Sequence, residues 1–347
     1  MIDFYPWQQE VWQKMMKSQK YWGHALIFKG KRGIGKYAFA RNLAQSLLCQ
    51  SPKTDRLACG NCLSCGWFEQ NSHPNFYSVL PEALLAVGNA DNTQIENKET
   101  GLTAQKTKKN LSQQIGVDQI RQLNDFVYQT GHQDGYKVIL ISPAETMTHA
   151  AANALLKKLE EPPAEVLFIL VTHQVQHLLP TIRSRCQQIA MPVPNMETSI
   201  EWLKLKGIDN PEFILPLNDF SPLSAWSFVQ EDLATPHQHF VDQITSGKKF
   251  DWLTLAQSLQ AINLARVTDW LQKWCYDLVS YRTTGEIRYY LQFKSIIQSM
   301  SQQIDLITCV TFARELNNHR KLSHHPLNAR LFLEEMFIRY SEMMHRK

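Results

Sequence analysis

The chain reads as an α/β protein with a phosphate-loop core, a parallel sheet carrying helices on both faces, followed by an all-helical region. Three observations predict this. Residues 30 to 37, GKRGIGKY, satisfy seven of the eight positions of the pattern G-x-x-x-x-G-K-[ST]. Short apolar runs alternate with segments of helical period through the first half of the chain. Near Met191-Pro192-Val193-Pro194 the runs stop, and only helical patterns follow.

The elements follow in chain order. His24 to Phe28 is a short apolar run, a buried strand that feeds Lys29-Gly30. From Lys36, KYAFARNLAQSLLC places Phe39, Leu43 and Leu47 at helical spacing, which completes a strand, glycine loop, helix unit. Residues 82–114 are polar, rich in Asn, Gln, Thr and Lys, and without period, and read as a surface excursion. IGVDQIRQLNDFVYQ marks a helix face with Val117, Ile120, Leu123 and Val127. Lys137 to Ile141 is a second buried strand. THAAANALLKKLEEPP is a helix capped by Thr148 and stopped by Pro162-Pro163. Leu167 to Val171 is a third buried strand. Such alternation implies a parallel sheet. Farther on, Val267, Trp270, Leu271, Trp274 and Leu278 repeat as one apolar stripe. Tyr289, Tyr290, Leu291 and Phe293, then Leu331, Phe332 and Met336, supply more apolar helix surface; stripes of this kind are core. Pro222 marks a boundary inside the helical part.

At 347 residues the chain exceeds one ordinary core and suggests two or three domains. The net charge of +4 permits contact with nucleic acid without arguing for it. No stretch of eighteen apolar residues occurs, and the opening MIDFYPWQQEVWQK lacks the layout of a signal peptide, so the expectation is a cytoplasmic protein. Four of the seven cysteines fall within residues 49 to 65, which in a reducing compartment points to metal rather than disulfides. Cys186, Cys275 and Cys309 are scattered and read as small buried apolar residues.

A phosphate loop works because glycines let successive backbone N–H groups converge at a helix N-terminus. Gly30, Gly33 and Gly35 permit that, and Lys36 adds a point charge for the outer phosphates. The Ser or Thr that would then ligate Mg²⁺ is Tyr37, whose hydroxyl sits at the far end of a rigid ring. In hydrolysing phosphate-loop proteins the second strand ends in an acid pair that holds the metal and activates water. Here it ends Ile141-Ser142-Pro143-Ala144-Glu145, and Glu145, two residues late, reads as a solvated surface carboxylate. With both Mg²⁺ positions lost, little or no hydrolysis is expected. Nucleotide binding through the loop and Lys36 stays open.

Cys49-x₉-Cys59-x₂-Cys62-x₂-Cys65 offers four thiolates at spacings that let them share one zinc ion. Four sulfur ligands leave no open position, so the metal would be structural. His73, next to Pro74, reads as a loop residue. After the third strand stands Arg183-Ser184-Arg185-Cys186. An arginine at a domain edge can stabilise phosphoryl-transfer charge in a neighbouring subunit. On the triplet alone, an ordinary surface or ion-paired arginine is the simpler reading.

Ser184-Arg185-Cys186 resembles the SRC motif of the AAA+ clamp-loader family, and Asn153 to Pro163, NALLKKLEEPP, resembles that family's NALLKTLEEPP helix. The position of the cysteine module matches as well. The resemblance is dense over residues 6 to 191 and thin beyond. It implies an AAA+ nucleotide-binding-like domain over 1–191, a small helical lid over 192–231 and a helical collar over 232–347. It further implies a pentameric ring with ATP-hydrolysing gamma/tau subunits and a delta subunit, which loads the sliding clamp onto primer-template DNA for the DNA polymerase III holoenzyme. The lost metal positions place the chain with the family's non-hydrolysing stators. On that resemblance Arg185 reaches the neighbouring ATP site in trans, and Cys49, Cys59, Cys62 and Cys65 hold zinc. Two departures stand out: Gly35-Lys36 survive, and the 82–114 excursion is longer than the family needs. An active gamma-like ATPase and a free-standing zinc-bearing nucleic-acid binder are the competing readings.

Overall fold

The computed structural model describes residues 4–85, 111–128, 136–162, 165–247, 250–323, 325 and 327–345. Most of the polar excursion, residues 86–110, and Pro163 of the proline pair lie outside them. The chain divides into two compact units, Met1–Pro194 and Asn195–Lys347.

The first unit is built on a five-stranded sheet. Its strands are β1 (Ala25–Lys29), β2 (Phe76–Val79), β3 (Lys137–Ile141), β4 (Val166–Thr172) and β5 (Gln187–Ala190), in the order β2-β3-β4-β1-β5. Every pairing is parallel, with Ala25 opposite Phe168 and Ile141 opposite Leu170. The three central strands are the three apolar runs, and they are apolar throughout because both faces are covered. Alternate residues feed two cores. Ile27, Ile139, Ile141, Phe168 and Leu170 pack with Ile120, Leu123, Leu155 and Leu159 from helices Val117–Tyr128 and His149–Glu160. Leu26, Phe28, Val138, Leu140 and Ile169 pack with Trp12, Phe39 and Leu43, the last two from helix Lys36–Leu48. Phe39 meets Phe28 edge-on at 5.3 Å and Trp12 at 5.8 Å, with no solvent exposure. Truncating such a ring to alanine costs about 3–5 kcal/mol. The edge strands β2 and β5, reading FYSV and QQIA, have no apolar run to announce them. The expected cap is present: Thr148 accepts a hydrogen bond from the Ala151 N–H at 3.2 Å.

The second unit is helical among the described residues. Helices Met196–Leu205, Pro211–Leu217 and Pro222–Gln230 come first, with Pro222 at the first turn, where its missing N–H is harmless. Ala234–Ile244, Trp252–Leu259, Leu264–Thr284, Lys294–Gln303, Leu306–Leu322 and Ala329–His345 follow. One core runs from Leu217 and Phe228 to Met343 and takes in the whole Val267–Leu278 stripe. Trp274 donates to the Tyr340 hydroxyl at 3.1 Å, and that hydroxyl donates to the Ile244 carbonyl at 3.2 Å.

Two expectations need correction here. Tyr289 and Tyr290 are not on a helix. Asp277, fully buried, accepts the N–H groups of Arg288, Tyr289 and Tyr290 at 2.9, 2.9 and 2.7 Å, and so folds that stretch into a turn. Leu291 and Leu331 are exposed: the last helix buries Phe332, Leu333, Met336, Phe337 and Tyr340, and Leu331 falls on the opposite side. Cys186, Cys275 and Cys309 are buried, as read. Among the described residues no helix is long and apolar enough to cross a membrane.

Candidate functional site

The end of β1 delivers the glycine loop to the first turn of helix Lys36–Leu48. Gly35 has φ +84°, in the left-handed region that L side chains avoid. A Cβ there would stand 2.5 Å from two ring carbons of Tyr5 and 2.7 Å from Gln8 Nε2. The N-terminal segment in fact straps the loop. Trp7 Nε1 donates to the Ile34 carbonyl at 2.9 Å, and Gln8 Nε2 donates to the carbonyls of Ile34 and Gly35 at 3.0 and 2.9 Å. Tyr5 and Trp7 are stacked, centroids 5.1 Å apart.

Lys36 is buried, and its Nζ donates to the Gly30 carbonyl at 2.7 Å and to the Lys31 carbonyl. Burial lowers its pKa to about 8; Glu145 opposes the shift and Arg32 adds to it. The lysine is thus engaged by its own loop. The ring of Tyr37, partly buried, packs against the core beneath the loop.

Ser142-Pro143 stands at the end of β3, with Ser142 buried and its N–H donating to the Val79 carbonyl at 3.1 Å. Glu145 is not the solvated carboxylate expected from sequence. Its Oε1 accepts the His173 N–H at 3.0 Å, and its Oε2 is buried without a partner. The turn after β3 folds back over the end of β4, which a linear reading could not see. His173 lies just past β4. Burial, the positive fields of Lys36 and Arg32, and an opposing pull from Glu145 leave its pKa at about 4, so the ring is neutral at pH 7. At the C-terminal ends of β1, β3 and β4, therefore, Lys36, Arg32, Glu145 and His173 share one electrostatic environment. The arrangement can hold one internal carboxylate beside a cation.

The cysteine module follows helix Lys36–Leu48. The Sγ atoms of Cys49, Cys59, Cys62 and Cys65 all lie within 4.8 Å of one another, with Cys49–Cys62 at 3.9 Å and Cys59–Cys65 at 4.0 Å. Four sulfurs placed tetrahedrally at about 2.3 Å from zinc are separated by about 3.8 Å, so the donor set fits that ion. Backbone N–H groups of Cys59, Cys62 and Cys65 point at the sulfurs of Cys49, Cys59 and Cys62 at 3.2, 3.3 and 3.4 Å. Burial raises the Cys62 thiol, but N–H donors from Cys65 and Gln50 outweigh it and bring its pKa to about 6. Cys65 is held up by burial. His73 is no ligand: its Nδ1 accepts the Asn75 N–H at 3.0 Å, and its Nε2 bonds Ser64 Oγ at 2.8 Å, which donates to the Leu48 carbonyl at 2.5 Å. That chain of bonds braces the module against the loop helix.

Arg185 is the last residue of helix Pro180–Arg185. Its Nη2 pairs with Glu160 Oε1 at 2.7 Å, and its Nη1 donates to the Thr181 carbonyl at 3.1 Å and Ser184 Oγ at 3.5 Å. Its side chain is about one third exposed.

A family model described as DNA polymerase III, delta subunit, matches residues 6–195, more than half of the chain. The DNA polymerase III subunit delta' of Pseudomonas aeruginosa is 32% identical over 353 residues, covering 99% of each chain. The chain belongs to the delta-prime family of DNA polymerase III subunits. Delta-prime subunits of Haemophilus influenzae (34% identical, 70% of this chain and 67% of that one) and Escherichia coli (30%, 77% and 74%) are also similar. Among solved structures, a DNA polymerase III gamma subunit-related protein of Thermotoga maritima aligns over 97% of this chain and all of its own, at 18% identity and TM-score 0.43. The residues matched by that family model contain the glycine loop, the cysteine cluster and Arg185. Sequence reasoning missed the strap of Tyr5, Trp7 and Gln8, His173, and Glu160. Only the polar residue placed directly after an apolar strand, His173, carries a signal that could have found it.

Proposed function

We propose that the chain is the catalytically silent stator of the DNA polymerase III clamp loader. In this reading it joins gamma/tau and delta subunits in a pentameric ring in the cytoplasm, which loads the sliding clamp onto primer-template DNA. Residues 1–191 form the AAA+-type domain, 192–231 a lid and 232–347 the collar that joins the ring. Arg185 reaches the ATP site of the neighbouring subunit, and Cys49, Cys59, Cys62 and Cys65 hold one structural zinc.

The observation that carries the silent reading is the residue set around the loop: Tyr37 follows Lys36 where the pattern calls for Ser or Thr, and β3 ends in Ser142-Pro143 rather than an acid pair. Ser142-Pro143 and Tyr37 remove the metal that would stabilise charge in the transferred phosphoryl group. Gly30, Gly33, Gly35 and Lys36 keep the loop's shape and at most a weak hold on nucleotide. When bound, zinc would supply cross-linking of the module and no reaction step. Steady-state ATPase of the purified chain with Mg²⁺ tests the reading: no turnover is expected, and turnover at the rate of an active gamma-like subunit would replace it with the ATPase reading.

A further inference from the structure

We infer that Glu160 is a positioning residue for Arg185, fixing the plane in which the guanidinium is presented to the neighbouring subunit. The inference rests on the trans-arginine reading above. Glu160 ends helix His149–Glu160, and Glu161 follows it. Two carboxylates at a helix C-terminus oppose the helix dipole, where a cation is favoured. Lys157 and Lys158 in the same last turn obey that preference, so Glu160 and Glu161 are local exceptions, and of the two it is Glu160 that pairs with Arg185. An exposed ion pair contributes little stability, and Glu160 and Arg185 are 48% and 35% exposed. Stability therefore does not explain the carboxylate.

Geometry does. The backbone beside each partner is anchored in one core: Leu159 is 1% exposed, Ile182 is fully buried, and Cys186 is 8% exposed. The Leu159 carbonyl is also bonded by His24 Nε2 at 2.9 Å. Two rigid helix ends thus set the spacing across which the 2.7 Å pair forms. Glu160 holds Nη2 from one side, and the Thr181 carbonyl holds Nη1 from the other. The Nε–H edge makes no hydrogen bond among the described residues, so one face of the fork is oriented yet uncommitted. A charged donor fixed before reaction stabilises developing phosphoryl charge without reorganising, an effect that appears in kcat rather than KM.

The test is steady-state ATP hydrolysis by rings reconstituted from gamma/tau, delta and this chain, as wild type, Glu160→Gln, Arg185→Ala and the double variant. Glu160→Gln is expected to lower kcat about threefold to tenfold with KM for ATP unchanged, while the unfolding midpoint of the free chain stays put. In the Arg185→Ala background Glu160→Gln should add nothing; a fifth ring, with Glu160→Asp and Arg185 intact, should recover part of the loss seen with Glu160→Gln. An unchanged or raised kcat in Glu160→Gln, with Arg185→Ala still slow, overturns the positioning role and leaves the trans arginine standing. An equal Glu160→Gln effect with and without Arg185 also overturns it, since Glu160 would then act elsewhere. If Arg185→Ala itself changes nothing, the trans-arginine reading fails, and the role of Glu160 with it.

Discussion

The ring of Tyr5 fills the space beside Gly35 that any larger residue there would need, with two ring carbons 2.5 Å from an ideal Cβ position. The N-terminal segment is in this way packed and hydrogen-bonded directly against the glycine loop. Gly35→Ala would place alanine at φ +84° and drive Cβ into Tyr5. The expected loss is about 2 kcal/mol or more, of which about 1–2 is the left-handed backbone. Urea unfolding checks it, and Tyr5→Ala in the same chain should recover the steric part only.

Tyr37→Ser supplies the hydroxyl residue that the phosphate-loop pattern calls for at this position. Because Ser142-Pro143 still provides no carboxylate, the free chain is expected to remain without measurable ATP turnover. A phosphate-release assay with Mg²⁺ on the purified variant decides it; turnover would show that Tyr37 alone silences the loop.

His237 is buried in the helical core, stacked on Tyr290 at 5.6 Å and edge-on to Trp270 at 5.0 Å. Burial first, and Lys273 second, lower its pKa to about 3. Such a histidine is neutral in the fold, so below about pH 6.5 the unfolded chain binds the extra proton and stability falls as pH falls, until about pH 3. From this residue alone the loss at pH 5 is about 2 kcal/mol relative to pH 7. His173, lowered to about 4, acts in the same direction. Urea midpoints at pH 7 and pH 5 read the effect, and His237→Phe should flatten it.

Metal analysis of the purified chain should find one zinc. A chelator, or Cys62→Ser, should lower the unfolding midpoint and free the thiols to titrate, because the four sulfurs already converge to within 4.8 Å. A metal-free chain of undiminished stability would remove the structural role.

The parts of the molecule that were legible in the sequence are those set by local periodicity and spacing. β1, β3 and β4 are unbroken apolar runs because both faces are buried, and Thr148 caps its helix as its residue type suggests. The cysteine cluster was legible because short ligand spacings leave little choice of partner. Edge strands β2 and β5 were not, since a half-exposed strand reading QQIA lacks an apolar pattern. Glu145 was misread because its partner, the His173 N–H, lies just past the end of β4, 28 residues on. The Tyr5–Gln8 strap and the Glu160–Arg185 pair were hidden for the same reason: each joins segments about 25 residues or more apart whose meeting depends on the crossovers of the sheet.

That Arg185 acts in a neighbour's site while its own loop is silent is tested most directly by one comparison. ATP hydrolysis is measured for rings reconstituted with gamma/tau and delta around wild-type or Arg185→Ala chain, alongside the free chain. The expected result is no turnover by the free chain, normal assembly of the variant ring, and ATPase slowed by about tenfold or more. An unchanged ring rate with Arg185→Ala, or turnover by the free chain at the rate of an active loader subunit, would contradict it.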